Sequence, residues 1–244
     1  MRVLFKLDPS PCASKSSVKP YERLADAAAP DGTVLTLYRH DGAYLLRIDG
    51  IELMSTRRSQ SEVQLAELAC RGLAEQPGVR VLVGGLGFGF TMRAALERLG
   101  PDAQVMVVEI VPEVIAWNRN ADYALAGAAM DDPRVVIREG DVLAVLREHT
   151  GVFDAIMLDV DNGAESLTTA GNATLYADTG IQTAIAALRP GGRVTYWSAD
   201  ADPAFAKALR RNGLTVTTEK SRAHGNKGAA HELMMGEKRR HASR

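Results

Sequence analysis

Residues 80–93, Arg-Val-Leu-Val-Gly-Gly-Leu-Gly-Phe-Gly-Phe-Thr-Met-Arg, constrain this chain more than any other stretch. Val81, Leu82 and Val83 form a short apolar run suited to a strand covered on both faces. Gly84, Gly85, Gly87 and Gly89 follow, where the backbone turns tightly and a ligand can approach with no Cβ in its way. From Thr91 the periodicity becomes helical, through Met92, Ala95, Leu96 and Leu99. Strand, glycine turn and helix N-terminus leave unpaired backbone N–H groups facing a nucleotide-type ligand. The spacing narrows the choice. A dinucleotide fingerprint needs a third glycine where this chain has Phe90, so the turn reads Gly85-x-Gly87-x-Gly89.

Ahead of the turn, Pro9, Pro11, Pro20 and Pro30 mark an irregular lead-in with a short helix expected near Tyr21–Ala28. Thr33–Arg39 and Ala43–Ile48 are β-rich around Asp41-Gly42, a strong hairpin signal, and Asp49-Gly50 turns into Ile51–Met54. A small antiparallel sheet over about 33–54 follows. Ser61 and Glu62 begin a helix carrying Val63, Leu65 and Leu68 and closing near Gly72. The expected boundary divides 1–58, lead-in and small sheet, from 59–244, the ligand-binding domain.

Beyond the turn, strands alternate with helices. Gln104–Val108 ends at Glu109, and Pro112 opens a helix through Trp117. Val135–Ile137 ends at Glu139-Gly140-Asp141, and Phe153–Leu158 ends at Asp159. A helix over Thr179–Leu188 meets Pro190-Gly191-Gly192 before a strand over Arg193–Trp197, then a helix over 203–211 and strands near 214–219 and 231–235. The alternation predicts an α/β fold with a mostly parallel sheet and right-handed crossovers.

Composition excludes several classes. Lys plus Arg (29) nearly balances Asp plus Glu (30), so no global field draws nucleic acid or acidic lipid. The basic stretch 237–244 is expected to be a solvated tail. Cys12 and Cys70 are far apart and lack metal-ligand spacing, which fits a reducing cytoplasm and no metal. His224 and His231 lack a convincing third ligand. No run approaches the ~18 apolar residues that span a bilayer.

Ligands of open α/β sheets lie beyond the carboxyl ends of the strands. Here those ends carry the glycine turn, Glu109, Gly140-Asp141 and Asp159. Glu109 comes roughly 20 residues after the turn, where a carboxylate accepts from ribose hydroxyls, and Asp141 can accept from an adenine amine. From about residue 43 to 235 the chain resembles the spermidine synthase-like branch of class I S-adenosylmethionine-dependent transferases. The carrying residues are 81–91, Val-Val-Glu-Ile-Val-Pro-Glu-Val (107–114), Asp132-Pro133-Arg134-Val135, Gly140-Asp141, Phe153-Asp154 and Leu188-Arg189-Pro190-Gly191-Gly192. The resemblance implies a Rossmann-like seven-stranded sheet with an antiparallel last strand. It also implies a cofactor, S-adenosylmethionine or its decarboxylated form, held by Gly85, Gly87, Gly89, Glu109, Gly140, Asp141 and Asp159. A homodimer is a further implication.

Departures from that pattern shape the functional expectation. Spermidine synthases carry an aspartate in the glycine turn, suited to an ammonium, where this chain has Phe88. Their Asp-Glu-x-x-Tyr-His-Glu helix corresponds here to Ser61-Glu62-Val63-Gln64-Leu65-Ala66-Glu67. The loop after Asp159 reads Val160-Asp161-Asn162-Gly163. Methyl transfer to a small acceptor, such as an amine, is therefore expected, with Asp159 and Asp161 catalytic and Asp161, Tyr176 and Trp197 at the substrate. Trp197 equally suits core packing, and Tyr176 equally suits a helix entry. Aminopropyl transfer from decarboxylated S-adenosylmethionine is the alternative, and a non-catalytic adenosyl-binding protein a further one. Segment 160–175 reads as a lid that orders on binding.

Overall fold

The computed structural model describes residues 19–123, 125–159, 172–224 and 227–240. Two sheets divide it. The first is a four-stranded antiparallel meander, β1 (Glu22–Ala28), β2 (Val34–His40), β3 (Ala43–Ile48) and β4 (Ile51–Ser55). Asp41 and Asp49, each followed by a glycine, take positive φ at its hairpin turns (49° and 47°), as Asp-Gly turns require. The helix expected near Tyr21–Ala28 is instead β1, which pairs antiparallel with β2. Its alanines favour a helix locally, but the open edge of β2 offers a ladder of hydrogen bonds and a buried seat for Ala27. Tertiary pairing wins.

The second sheet has seven strands in the order β10-β11-β9-β8-β5-β6-β7. These are β5 (Arg80–Gly84), β6 (Gln104–Glu109), β7 (Val135–Glu139), β8 (Phe153–Leu158), β9 (Leu188–Ser198), β10 (Thr215–His224) and β11 (Lys227–Glu237). Strands β5 to β9 are parallel, and β11 runs antiparallel between β9 and β10. Helices α1 (Gln60–Cys70), α2 (Phe90–Arg98) and α3 (Pro112–Arg119) lead into or out of β5 and β6. Helices α4 (Val142–Arg147), α5 (Asn172–Tyr176), α6 (Asp178–Ala187) and α7 (Pro203–Arg211) follow. A 3-10 turn at Gly127–Asp131 precedes β7.

Alternation along the parallel strands sends side chains into two cores. Val81, Val83, Val105, Val107, Ala155 and Met157 join α1, α2, α3 and the apolar face of the small sheet, including Leu35, Leu37 and Leu46. Leu82, Val108, Ile156, Leu158, Val194 and Tyr196 face α4, α6 and α7 on the other side. The small sheet is thus tied to the large one by shared burial, at about 25 cal/mol per Å² of apolar surface.

β9 starts at Leu188, earlier than the expected Arg193, and takes Pro190-Gly191-Gly192 into the strand with a register shift opposite Phe153/Ala155. A Cβ at Gly192 would meet the carbonyl oxygens of Arg189 and Phe153 at 3.0 Å each, so glycine permits this close approach of two backbones. The last two strands are also longer than expected, because each extends the other's ladder outward. Arg134, from the Asp132-Pro133-Arg134-Val135 stretch, closes α2: its Nη1 donates to the carbonyls of Leu96 (3.0 Å) and Leu99 (3.1 Å), while Asp132 holds the guanidinium at 2.8 Å. Those carbonyls are otherwise orphans of the helix end.

Candidate active site

A single cleft lies where the carboxyl ends of β5, β6 and β8 meet the apolar face of the small sheet. Gly85, Gly87, Glu109, Gly140, Asp141, Asp159 and Trp197 line it, joined by Leu35, Leu46, Leu53 and Met54 from the meander and Glu62 from α1. Among the described residues the acids of that lining are Glu62, Glu109, Asp141 and Asp159, with no lysine or arginine.

Glu109 ends β6 and is held by main chain alone. Its Oε2 accepts from the Leu86 N–H at 2.8 Å and its Oε1 from the Val111 N–H at 2.9 Å. Burial pushes its pKa up, opposed by those backbone donors. Each oxygen keeps a further lone pair for a ligand hydroxyl. Asp141 is the N-cap of α4, its Oδ1 accepting from the Leu143 N–H at 2.9 Å. Gly140, at φ 147°, donates its N–H to the Glu109 carbonyl at 2.8 Å and so ties the two strand ends together.

The glycine turn is anchored on both sides. Gly85, at φ 91°, donates to the Val108 carbonyl at 2.9 Å, and Asn118 of α3 donates from Nδ2 to the Gly87 carbonyl at 2.8 Å. Asn118 escaped the sequence reading, because a buried amide on a helix face carries no distinctive pattern. Met54 lies over Gly87, where an added Cβ would meet its Cε at 2.7 Å. Gly89 lies outside the cleft lining. It is the N-cap of α2 at φ 74°, and a Cβ there would meet that of Ala126 at 2.6 Å, so packing and conformation both demand glycine.

Phe88, which stands where an ammonium-binding acid was sought, turns into the core with 1% of its surface exposed and sits edge-on to Phe90 at 6.1 Å. Neither ring reaches the cleft lining. Asp159 donates its N–H to the Gly84 carbonyl at 3.0 Å, and its Oδ2 accepts from the Thr91 hydroxyl at 2.5 Å. The first turn of α2 is thereby locked to the end of β8. Trp197 lines the cleft. Tyr176 does not: its ring packs on Tyr196 and Phe205 at 5.5 and 4.9 Å, with its hydroxyl donating to the Trp197 carbonyl at 3.4 Å. Asp161 and most of the expected lid lie outside the described residues.

Glu62 was read as a helix starter, within the segment corresponding to the family's Asp-Glu-x-x-Tyr-His-Glu helix, and was not expected in the site. In the structure it is buried at the cleft, its Oε2 accepting from the Ser61 hydroxyl at 2.6 Å, and desolvation raises its pKa. Among the described residues, no group of three His, Cys, Asp or Glu side chains is placed to hold a metal. No helix of the described residues is long and apolar enough to cross a membrane.

Solved structures share this architecture. Spermidine synthase from Thermotoga maritima superposes with a TM-score of 0.71 at 17% identity, over 89% of this chain and 72% of that one. The chain has the spermidine synthase-like class I fold. A spermidine synthase in complex with the transition-state analogue AdoDATO gives a TM-score of 0.70 at 19% identity, with the same coverage. In sequence, the chain is 29% identical over 195 residues to the polyamine aminopropyltransferase of Corynebacterium efficiens, covering 70% of this chain and 36% of that protein. It is 26% identical over 143 residues to the polyamine aminopropyltransferase of a Thermoanaerobacter species, covering 59% of this chain and 50% of that protein. The match therefore spans half or less of these curated relatives. No family model matches the chain. The spermidine synthase-like fold accounts for the small meander as well as the seven-stranded sheet.

Proposed function

We propose that the chain is a group transferase that moves an aminopropyl group from decarboxylated S-adenosylmethionine to an amine. The observation that carries this is the charge of the cleft away from the ribose- and adenine-binding acids: Asp159 and Glu62, with no lysine or arginine among the described lining residues. S-adenosylmethionine brings a carboxylate, which such a lining repels. The decarboxylated donor and a polyamine acceptor bring only cations, whose desolvation the acids offset. The resemblance to proteins named polyamine aminopropyltransferase supports the same reading over methyl transfer, the expectation drawn from sequence.

In this reading Glu109 takes the ribose hydroxyls, Asp141 the adenine amine, and Gly85 and Gly87 let the donor lie against the turn. The donor, when bound, supplies an electrophilic carbon beside its sulfonium. Asp159, fixed by Thr91 at the end of β8, orients the acceptor amine and accepts its proton. The apolar side chains of β2, β3 and β4 exclude water from the exchange.

The test is incubation with each donor and a panel of diamines, followed by mass spectrometry. A mass gain of one aminopropyl group, with methylthioadenosine released, is expected from the decarboxylated donor. A methylated product from S-adenosylmethionine, and none from the decarboxylated donor, would overturn the proposal.

A further inference from the structure

The strand order separates the cleft into two ends. The adenosyl-holding groups stand on β5, β6 and the turn after β7, and Asp159 ends β8. On the other side of Asp159 come β9 and β11, which bring Trp197 and His231 to the same face of the sheet as α1. Trp197 pairs across with Leu233, so His231, two residues earlier on β11, lies diagonal to it, with ring centroids 4.8 Å apart.

Three polar groups lie at this far end, two of them without the partners burial demands. The Trp197 indole N–H and His231 Nδ1 are buried and have no hydrogen-bond partner among the described residues. Glu62 reaches the cleft from α1, is buried, and accepts from the Ser61 hydroxyl, yet no lysine or arginine among the described residues forms an ion pair with it. A buried carboxylate without a strong cation is costly unless a ligand supplies one. Trp197, which lines the same cleft, suits the same ligand, since ammonium groups favour tryptophan faces.

We propose that Glu62, together with the face of Trp197, receives the ammonium of the amine acceptor, and that His231 backs the pair. Glu62 supplies a carboxylate at the cleft, whereas the turn residue Phe88 is buried in the core. This deepens the aminopropyl-transfer reading and rests on it for the identity of the ligand class.

The experiment is calorimetric titration of 1,4-diaminobutane into the full chain saturated with methylthioadenosine. Glu62→Gln is expected to weaken diamine binding about tenfold or more, the loss of one charge-assisted hydrogen bond. Methylthioadenosine affinity should stay within about twofold, which also reports that the variant is folded. Trp197→Leu is expected to weaken the diamine about fivefold with the same adenosyl affinity, and it carries the test if Glu62→Gln does not fold. Diamine affinity unchanged in these variants, or no diamine binding by the wild-type complex, would overturn the inference. Wild type that binds the diamine through Glu62 but forms no aminopropyl product removes the reaction and leaves the subsite standing.

Discussion

The two ends of the cleft are built on different principles. At the proposed adenosyl end, each acid is positioned by main chain: Glu109 by Val111, two residues on, and by the N–H of Leu86 in the glycine turn of the neighbouring strand, Asp141 by Leu143. At the proposed acceptor end, side chains from α1, β9, β11 and the end of β8 converge, held by side-chain contacts such as Thr91 to Asp159 and Trp197 to His231. A strand-turn-helix unit produces the first arrangement wherever it occurs. The second depends on which elements the fold brings side by side, so it can be rebuilt without disturbing the first.

The largest effect expected of that contrast lies at Phe88. Phe88→Asp, which writes the missing acid back into the turn, puts a charge into the core and is expected to cost about 5 kcal/mol of stability or more. Urea unfolding measures it, and a stable variant with improved diamine binding would show that residue 88 belongs to the cleft. Next comes Glu109→Gln, whose amide opposes two backbone donors. It should weaken methylthioadenosine about a hundredfold while a diamine's dependence on Glu62 persists. Equal loss at both ends would break the comparison.

Asp141→Asn keeps a side-chain oxygen to cap α4, so stability should change by less than about 0.5 kcal/mol. Adenosyl affinity should fall about tenfold, read in the same titration. The smallest effect is in pH. Burial raises the pKa of Glu62 and Glu109 above the ordinary 4.5, so the folded chain holds these protons more tightly than the unfolded one. The stability they contribute is complete below that ordinary value and is lost as pH rises toward the raised values. The thermal midpoint should therefore carry a falling component above about pH 5. Glu62→Gln should remove part of that slope, and diamine should offset it in wild type only. An unchanged slope in the variant would place Glu62 in solvent.

Sequence legibility followed the same division. The glycine turn, Glu109, Gly140 and Asp141 could be picked out because strand, turn and helix announce themselves within a few residues, and the structure brings Gly85, Gly87, Glu109, Gly140 and Asp141 to one cleft. Gly89 carried the same local signal for a different cause, its contact with Ala126. β1 was misread because alanine propensity is weak beside an unpaired neighbouring edge. Phe88 was legible as an absence of charge, but not as a core residue.

What the chain's own order of residues determined is the alternating α/β pattern, the spermidine synthase-like fold and the acids at successive strand ends. Hydrophobic periodicity and glycine spacing are local, and they need no partner to be read. Only the tertiary structure decided that Phe88 faces inward, that Tyr176 belongs to the second core, and that Glu62 stands with Trp197 across the cleft. Those outcomes depend on strand order and on which face of each strand meets α1. Contacts between residues far apart in the chain set both.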